Sequence, residues 1–267
     1  TTGFVRQMFN ANELPTDEAI CCWGDEGIPA FNYGQWGASH PMLRGFYNRL
    51  YFGVTICNFY LEEAGEYDAT MTAEVRFLRA LYYYHLMDCF GNIPFLTVVS
   101  SEPAPQATRQ EVYNFIESEL LEIEGTMSAP MTGTYGRADQ AAAWMLLARL
   151  YLNAEVYTGT AQWAKAAEYA TKVIDSQKYE MWTVEDLTNS ECFREDGRSS
   201  GEVIFEVYGA LGEAYGGGNE AICSMTSKNK YGDGGASLDL VNSKVEGGVY
   251  AHDEFNSNPG VVNNGTL

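Results

Sequence analysis

The stretch AEVRFLRALYYYHLMDCF, from Ala73 to Phe90, limits this chain more than any other feature. Wound as a helix it is apolar almost all round, so it must be covered on more than one side and belongs inside a stack of helices. Thr72 stands where an N-cap is expected, and Gly91, Asn92 and Pro94 end the run.

The neighbouring segments supply the cover. From about Pro41, the positions Leu43, Tyr47, Leu50, Val54, Cys57 and Leu61 recur at three- and four-residue steps, and Gly65 stops that helix. A third helix begins at Thr108, whose spacing to Glu111 is that of a capping box, and runs through VYNFIESELLEI. After a loop from Gly125 to Tyr135, a fourth is expected from about Ala138 to Tyr157, its alanines at 141, 142, 143 and 148 allowing close approach. QWAKAAEYATKVIDS makes a fifth, with Ala166 and Ala170 spaced as in a tetratricopeptide helix. Helix pairs joined by short turns predict a mainly α, tetratricopeptide-like repeat scaffold with loop-rich ligand-binding segments and little strand.

Three regions follow. Residues 1–38 mix acids, glycines and aromatics without a period and read mostly as loop, after an apolar opening (Phe4, Val5, Met8, Phe9) that fits the end of a helix. Residues 39–176 are the scaffold. Residues 177–267 are loop-rich, with a short strand near 202–207 (GEVIFEVYG) and an incomplete C-terminal part. The chain reads as a fragment of a longer protein.

Acids outnumber bases 36 to 16, giving a formal net charge of -20, which repels nucleic acid and anionic membrane surfaces. No apolar run is long enough to span a bilayer. The six cysteines lack the spacing of a disulfide scaffold, and Cys57 and Cys89 fall inside apolar helical stretches as small buried hydrophobes.

Motifs that carry a catalytic mechanism (GxGxxG, a Walker loop, HExxH, CxxC) are absent. His85, on the apolar second helix, reads as a core histidine. Glu62 with Glu63, and Glu117 with Glu119, read as solvated helix faces. Asp233 and Asp239 lack EF-hand spacing, so no metal site and no cofactor are expected. The informative cluster is Thr16 to Trp36, which carries Asp17, Glu18, Trp23, Asp25, Phe31, Asn32, Tyr33, Gln35 and Trp36. Flat apolar rings interleaved with planar polar groups are what sugar rings require, one to cover C–H faces and the other to meet hydroxyls. The alternative is that these rings plug the outer face of the stack.

Four blocks carry a resemblance: AEVRFLRALYYYHLMDCFGNIPF, GRADQAAAWMLLARLYL, AKAAEYATKVIDSQKYEM and GEVIFEV. In order and spacing they closely resemble the SusD/RagB family of Bacteroidetes outer-membrane nutrient-binding proteins, over nearly the whole chain from Glu13 to about Glu246. The resemblance implies a non-enzymatic, surface-exposed lipoprotein of the outer membrane. Such a protein captures oligosaccharide, serves a SusC-like TonB-dependent transporter and is anchored through an N-terminal lipid absent from this chain. The helical scaffold is then expected to meet the transporter, and Asp17, Trp23, Tyr33 and Trp36 are the expected ligand-binding residues. A peptide ligand, as in the RagB branch, is the alternative; a glycoside hydrolase and a pure helical scaffold are further readings.

Overall fold

The computed structural model describes residues 3–16, 26–134 and 136–179, together with the backbone of 19–21 and 249–251. The expected strand near 202–207 and the expected ligand residues Asp17 and Trp23 lie outside the described residues. Those that are described form two compact units, 3–49 with 249–251, and 50–179, the division falling inside one helix between Arg49 and Leu50.

The larger unit is helical, as the periodicity predicts. It holds most of α3 (Pro41–Ala64), then α4 (Ala69–Phe90), α5 (Arg109–Ile123), α6 (Gln140–Leu152), α7 (Ala154–Thr158) and α8 (Trp163–Asp175). α4 packs on α5 and α6 on α8. Bonded pairs give the directions: Arg76 and Arg79 of α4 both meet Glu119, while Tyr83 meets Phe115, so α4 and α5 run antiparallel. Tyr83, Tyr113, Tyr151, Phe77, Leu120 and Leu147 are fully buried between them. Burial of six such side chains is the main favourable term holding these helices together.

Two helix starts are encoded locally. Thr108 accepts from the Glu111 N–H at 3.2 Å while the Glu111 carboxylate accepts from the Thr108 N–H at 2.7 Å, the expected capping box. For α4 the expected cap is corrected: Asp68 is the N-cap, its Oδ1 accepting from Met71 N–H at 2.9 Å. Thr72 sits one turn inside and donates to the Gly65 carbonyl at 2.7 Å, closing the α3–α4 turn instead. The helix expected to run unbroken from about 138 to 157 is divided at Asn153, which caps the C-terminus of α6 and whose side chain donates to the Arg149 carbonyl at 3.2 Å.

Glu119 is also corrected. It is not on a solvated face; it is buried and paired with Arg79 at 2.7 Å and Arg76 at 2.6 Å. Arg79 continues to Asn58 Oδ1 at 3.0 Å and the Thr97 carbonyl at 3.2 Å, so both buried charges are met by several partners. Cys57 is buried as expected, and burial pushes its thiol up to about 11 against a small opposing effect of Arg79.

A second polar system joins α5, α6 and α8. Glu117 accepts from Tyr151 Oη at 2.8 Å and from Lys165 at 2.9 Å, with Lys165 Nζ 4.8 Å from the Tyr151 ring centre. Seven residues along α5, Glu124 accepts from Trp144 Nε1 at 2.8 Å and from Lys172 at 3.4 Å, with Lys172 Nζ 5.9 Å from the Trp144 ring. The same seven-residue step on three helices sets α6 antiparallel to α5 and α8 parallel to it.

The segment after α4 is held rather than free. Ile93–Pro94 (β2) pairs antiparallel with Gln106–Ala107 (β3), Ile93 facing Ala107. Tyr51 Oη donates to the Pro94 carbonyl at 2.6 Å, Tyr83 Oη to the Leu96 carbonyl at 2.5 Å, and Glu62 accepts from Val99 N–H at 2.6 Å. Gly91, at φ 77°, makes the turn out of α4 that a side chain would oppose, and Asn92 Oδ1 accepts from the first N–H of α5 at 3.0 Å.

In the smaller unit, residues read as loop contain α1 (Phe4–Asn12), β1 (Ala19–Cys21) and α2 (Ile28–Asn32), and β1 pairs antiparallel with β4 (Val249–Ala251), Ile20 opposite Tyr250. The apolar opening is indeed helical. Periodicity missed α2 because five residues make little more than one turn, and β1 because it is paired with a segment far along the chain.

Candidate functional site

The expected ligand residues that are described, Tyr33 and Trp36, follow α2 directly. Pro29 lies in the first turn of this short helix, where its missing N–H costs nothing. α2 points Ile28 and Phe31 into a small core with Leu14, against which Phe9, Met42 and Leu43 pack. The chain then folds back on itself: Gln35 N–H donates to the Ala30 carbonyl at 2.8 Å and Gly34 N–H to the Phe31 carbonyl at 3.1 Å, with Gly34 at φ 63°. This reversal brings Trp36 against Phe31, ring centres 5.9 Å apart, while leaving Trp36 45% and Tyr33 72% exposed.

Phe31 is 2% exposed and also meets His40, centres 4.6 Å apart and planes tilted by 54°. The exposed indole therefore rests on a buried phenyl ring, which rests on a buried imidazole. His40 Nδ1 accepts from the Leu43 N–H at 3.3 Å and Nε2 lies 2.9 Å from the Gly27 carbonyl oxygen. An acceptor at Nδ1 assigns the proton to Nε2, which donates to Gly27. His40 is thus the N-cap of α3, using a ring nitrogen where Ser or Asp would use oxygen.

Asn32, one of the planar polar groups in the aromatic cluster, donates to the Leu14 carbonyl at 3.0 Å and ties the loop to the end of α1. The backbone carries the reversal and Asn32 anchors it, so among the described members of the cluster Tyr33, Gln35 and Trp36 are left facing solvent. Phe31 belongs to the aromatic cluster but not to the expected ligand-binding residues, and His40 belongs to neither. The only local signal for His40 was a histidine directly before a proline at a helix start, since its contact with Phe31 spans nine residues of chain.

Between Gly27 and Arg44 the segment contains no carboxylate, so this loop offers no acid pair of the kind glycoside hydrolysis uses. Among the described residues no group of three or more His, Cys, Asp or Glu is gathered to hold a metal ion, and no helix is long and apolar enough to cross a membrane. What the surface offers is two aromatic faces and amide groups, chemistry suited to binding.

The fold defines a class: a tetratricopeptide-like helical scaffold with an aromatic loop ahead of it. Comparison with known proteins gives the family. Residues 32–152 match the SusD-like family described as starch-binding and associating with the outer membrane. Over 233 residues the chain is 40% identical to the starch-binding protein SusD of Bacteroides thetaiotaomicron, covering 83% of this chain and 41% of that protein. A SusD superfamily protein from Parabacteroides distasonis superposes with a TM-score of 0.68 at 26% identity, covering 89% of this chain and 53% of the other. Surface glycan-binding protein A from Bacteroides fluxus does so with a TM-score of 0.61 at 26% identity, covering 74% and 44%. The chain belongs to the SusD-like family, and it spans less than half the length of the curated relative it matches.

Proposed function

We propose that this chain is part of a non-enzymatic glycan-binding protein of the outer-membrane surface, and that Tyr33 and Trp36 belong to its ligand platform, with Asp17 and Trp23 as further contacts. The observation that carries the reading is the exposed Trp36 ring seated on buried Phe31, 5.9 Å away. A ring held at one orientation loses little freedom when a sugar face covers it, and that preorganisation favours affinity. The names of the relatives, a starch-binding protein and a surface glycan-binding protein, support the same ligand class. In this reading an N-terminal lipid anchors the protein, and the helical scaffold hands the ligand to a SusC-like TonB-dependent transporter.

The test is binding of the protein to soluble starch and to a panel of other polysaccharides, by calorimetry and affinity electrophoresis. Trp36→Ala and Tyr33→Ala are each expected to raise Kd for the bound glycan about five- to thirtyfold, as removal of an aromatic anchor does. An unchanged affinity for every bound glycan would remove both residues from the site. Copurification of a large barrel transporter from outer membranes tests the delivery step, and its absence under mild detergent counts against that step.

A further inference from the structure

We infer that His40 is a positioning residue for the ligand platform, holding the Tyr33–Trp36 loop in its binding geometry only while its imidazole is neutral. The inference rests on the reading of Tyr33 and Trp36 as ligand contacts, and it adds a proton-dependent latch beneath them.

Three observations meet at this ring. The first is the bond pattern. Nδ1 must present a lone pair to the Leu43 N–H at 3.3 Å while Nε2–H donates to the Gly27 carbonyl at 2.9 Å. A neutral imidazole of one tautomer satisfies both; an imidazolium carries N–H on both sides and sets a proton against the helix N–H. It also places a positive charge at the N-terminus of α3, where the aligned peptide dipoles disfavour it. The second is the close approach of Gly27. At φ 90°, a Cβ built there would lie 2.9 Å from His40 Cε1 and Nε2, so the backbone is shaped around the ring. The third is the run of ring contacts: His40 at 4.6 Å from Phe31, and Phe31 at 5.9 Å from Trp36. A ring displaced from the cap no longer supports the phenyl ring under the exposed indole.

The charged and titratable groups around the ring do not replace this pattern. Glu26 precedes Gly27 in the turn, Tyr33 follows α2, Arg6 and Glu13 belong to α1 and its C-cap, and Arg44, Tyr47 and Arg49 lie on α3. None of them is bonded to the imidazole. Among the described residues no carboxylate is paired with the ring to stabilise its charged form in place, and protonation is expected to be met by release of the cap.

The experiment compares the protein with His40→Asn at pH 7.5 and pH 5.0, which bracket the ordinary imidazole range. Asparagine keeps an acceptor for the N-cap and does not titrate. Amide hydrogen exchange across residues 26–43, corrected for intrinsic rates, is read without ligand, and affinity for the best-bound polysaccharide of the panel is read alongside. The native protein is expected to lose about fivefold protection at pH 5.0, the size of one lost helix-capping bond, and a similar factor in affinity. The asparagine variant is expected to lose neither. It retains His85, so acid effects from that buried ring cancel in the comparison. Protection that does not change with pH in the native protein, or that changes equally in both proteins, overturns the latch. Protection that falls while affinity stays constant keeps the latch but removes the Tyr33–Trp36 loop from the ligand site.

Discussion

The helical unit and the loop from Gly27 to His40 are fixed in opposite ways. In the first, each polar anchor is redundant: Arg79 and Glu119 are buried together, and between them they reach Arg76, Asn58 and the Thr97 carbonyl. In the second, one imidazole joins the turn before α2 to the first turn of α3. A scaffold has to keep one shape under all conditions, so multiple anchors suit it. The loop has fewer side-chain anchors, His40 and the Asn32 bond to the Leu14 carbonyl, so the loss of either is a larger share of what holds it.

That contrast can be broken by substitution. Glu119→Gln leaves the buried Arg79 without its carboxylate, while Arg76 keeps Glu122 at 2.5 Å; removing one partner of a buried pair costs about 3–5 kcal/mol. A drop of that size in chemical denaturation of the helical unit is the largest effect expected, and a loss under about 1 kcal/mol would show that the pair is not structural.

Acid comes next. Burial, with the Arg149 guanidinium adding to it, pushes His85 down to about 4 from an ordinary 6.5. The unfolded chain then binds a proton that the folded one excludes, so stability is complete above about pH 6.5 and falls as pH drops toward 4, by roughly 3 kcal/mol in all. Stability curves measured between pH 7.5 and 4, with and without His85→Gln, check this; equal slopes would refute it.

The smallest effect belongs to the loop. Trp36→Ala is expected to change global stability by less than about 0.5 kcal/mol, because an indole that is nearly half exposed contributes little to the core. A larger loss in thermal unfolding would make Trp36 a structural plug, the alternative reading of the aromatic cluster, and would equalise the two regions.

The motifs that signal the family turn out to serve the scaffold. In FGNIPF, Gly91 turns the chain out of α4, Asn92 accepts from the first N–H of α5, and Pro94 offers its carbonyl to Tyr51, as Leu96, just after the motif, does to Tyr83. In GRAD, Arg137 pairs with Glu74, and Asp139 caps α6 through the N–H groups of Ala141 and Ala142 at 2.9 and 3.2 Å. The same carboxylate accepts from Met131 N–H and from Tyr179 Oη, both at 2.9 Å, joining the loop before α6 to the end of α8. A resemblance carried by such residues identifies a fold with confidence and says little about which sugar is held.

Local chemistry was therefore readable from the chain alone. The periods of α3, α4, α5 and α8, the Thr108–Glu111 box and the stop at Gly91 depend on residues within a few positions of one another, and sequence order lists those interactions directly. Only the tertiary structure decided that Glu119 is buried, that Asp68 rather than Thr72 caps α4, and that His40 joins the Gly27 turn to the start of α3. Glu119 is buried because Arg79, forty residues away, reaches it. For α4, Asp68 and Thr72 are both capping types at the start of one apolar run, and the turn closed by Gly65 sets which of them caps. The role of His40 needs a backbone turn at Gly27 that leaves no room for a side chain, and that space exists only once the two segments have met.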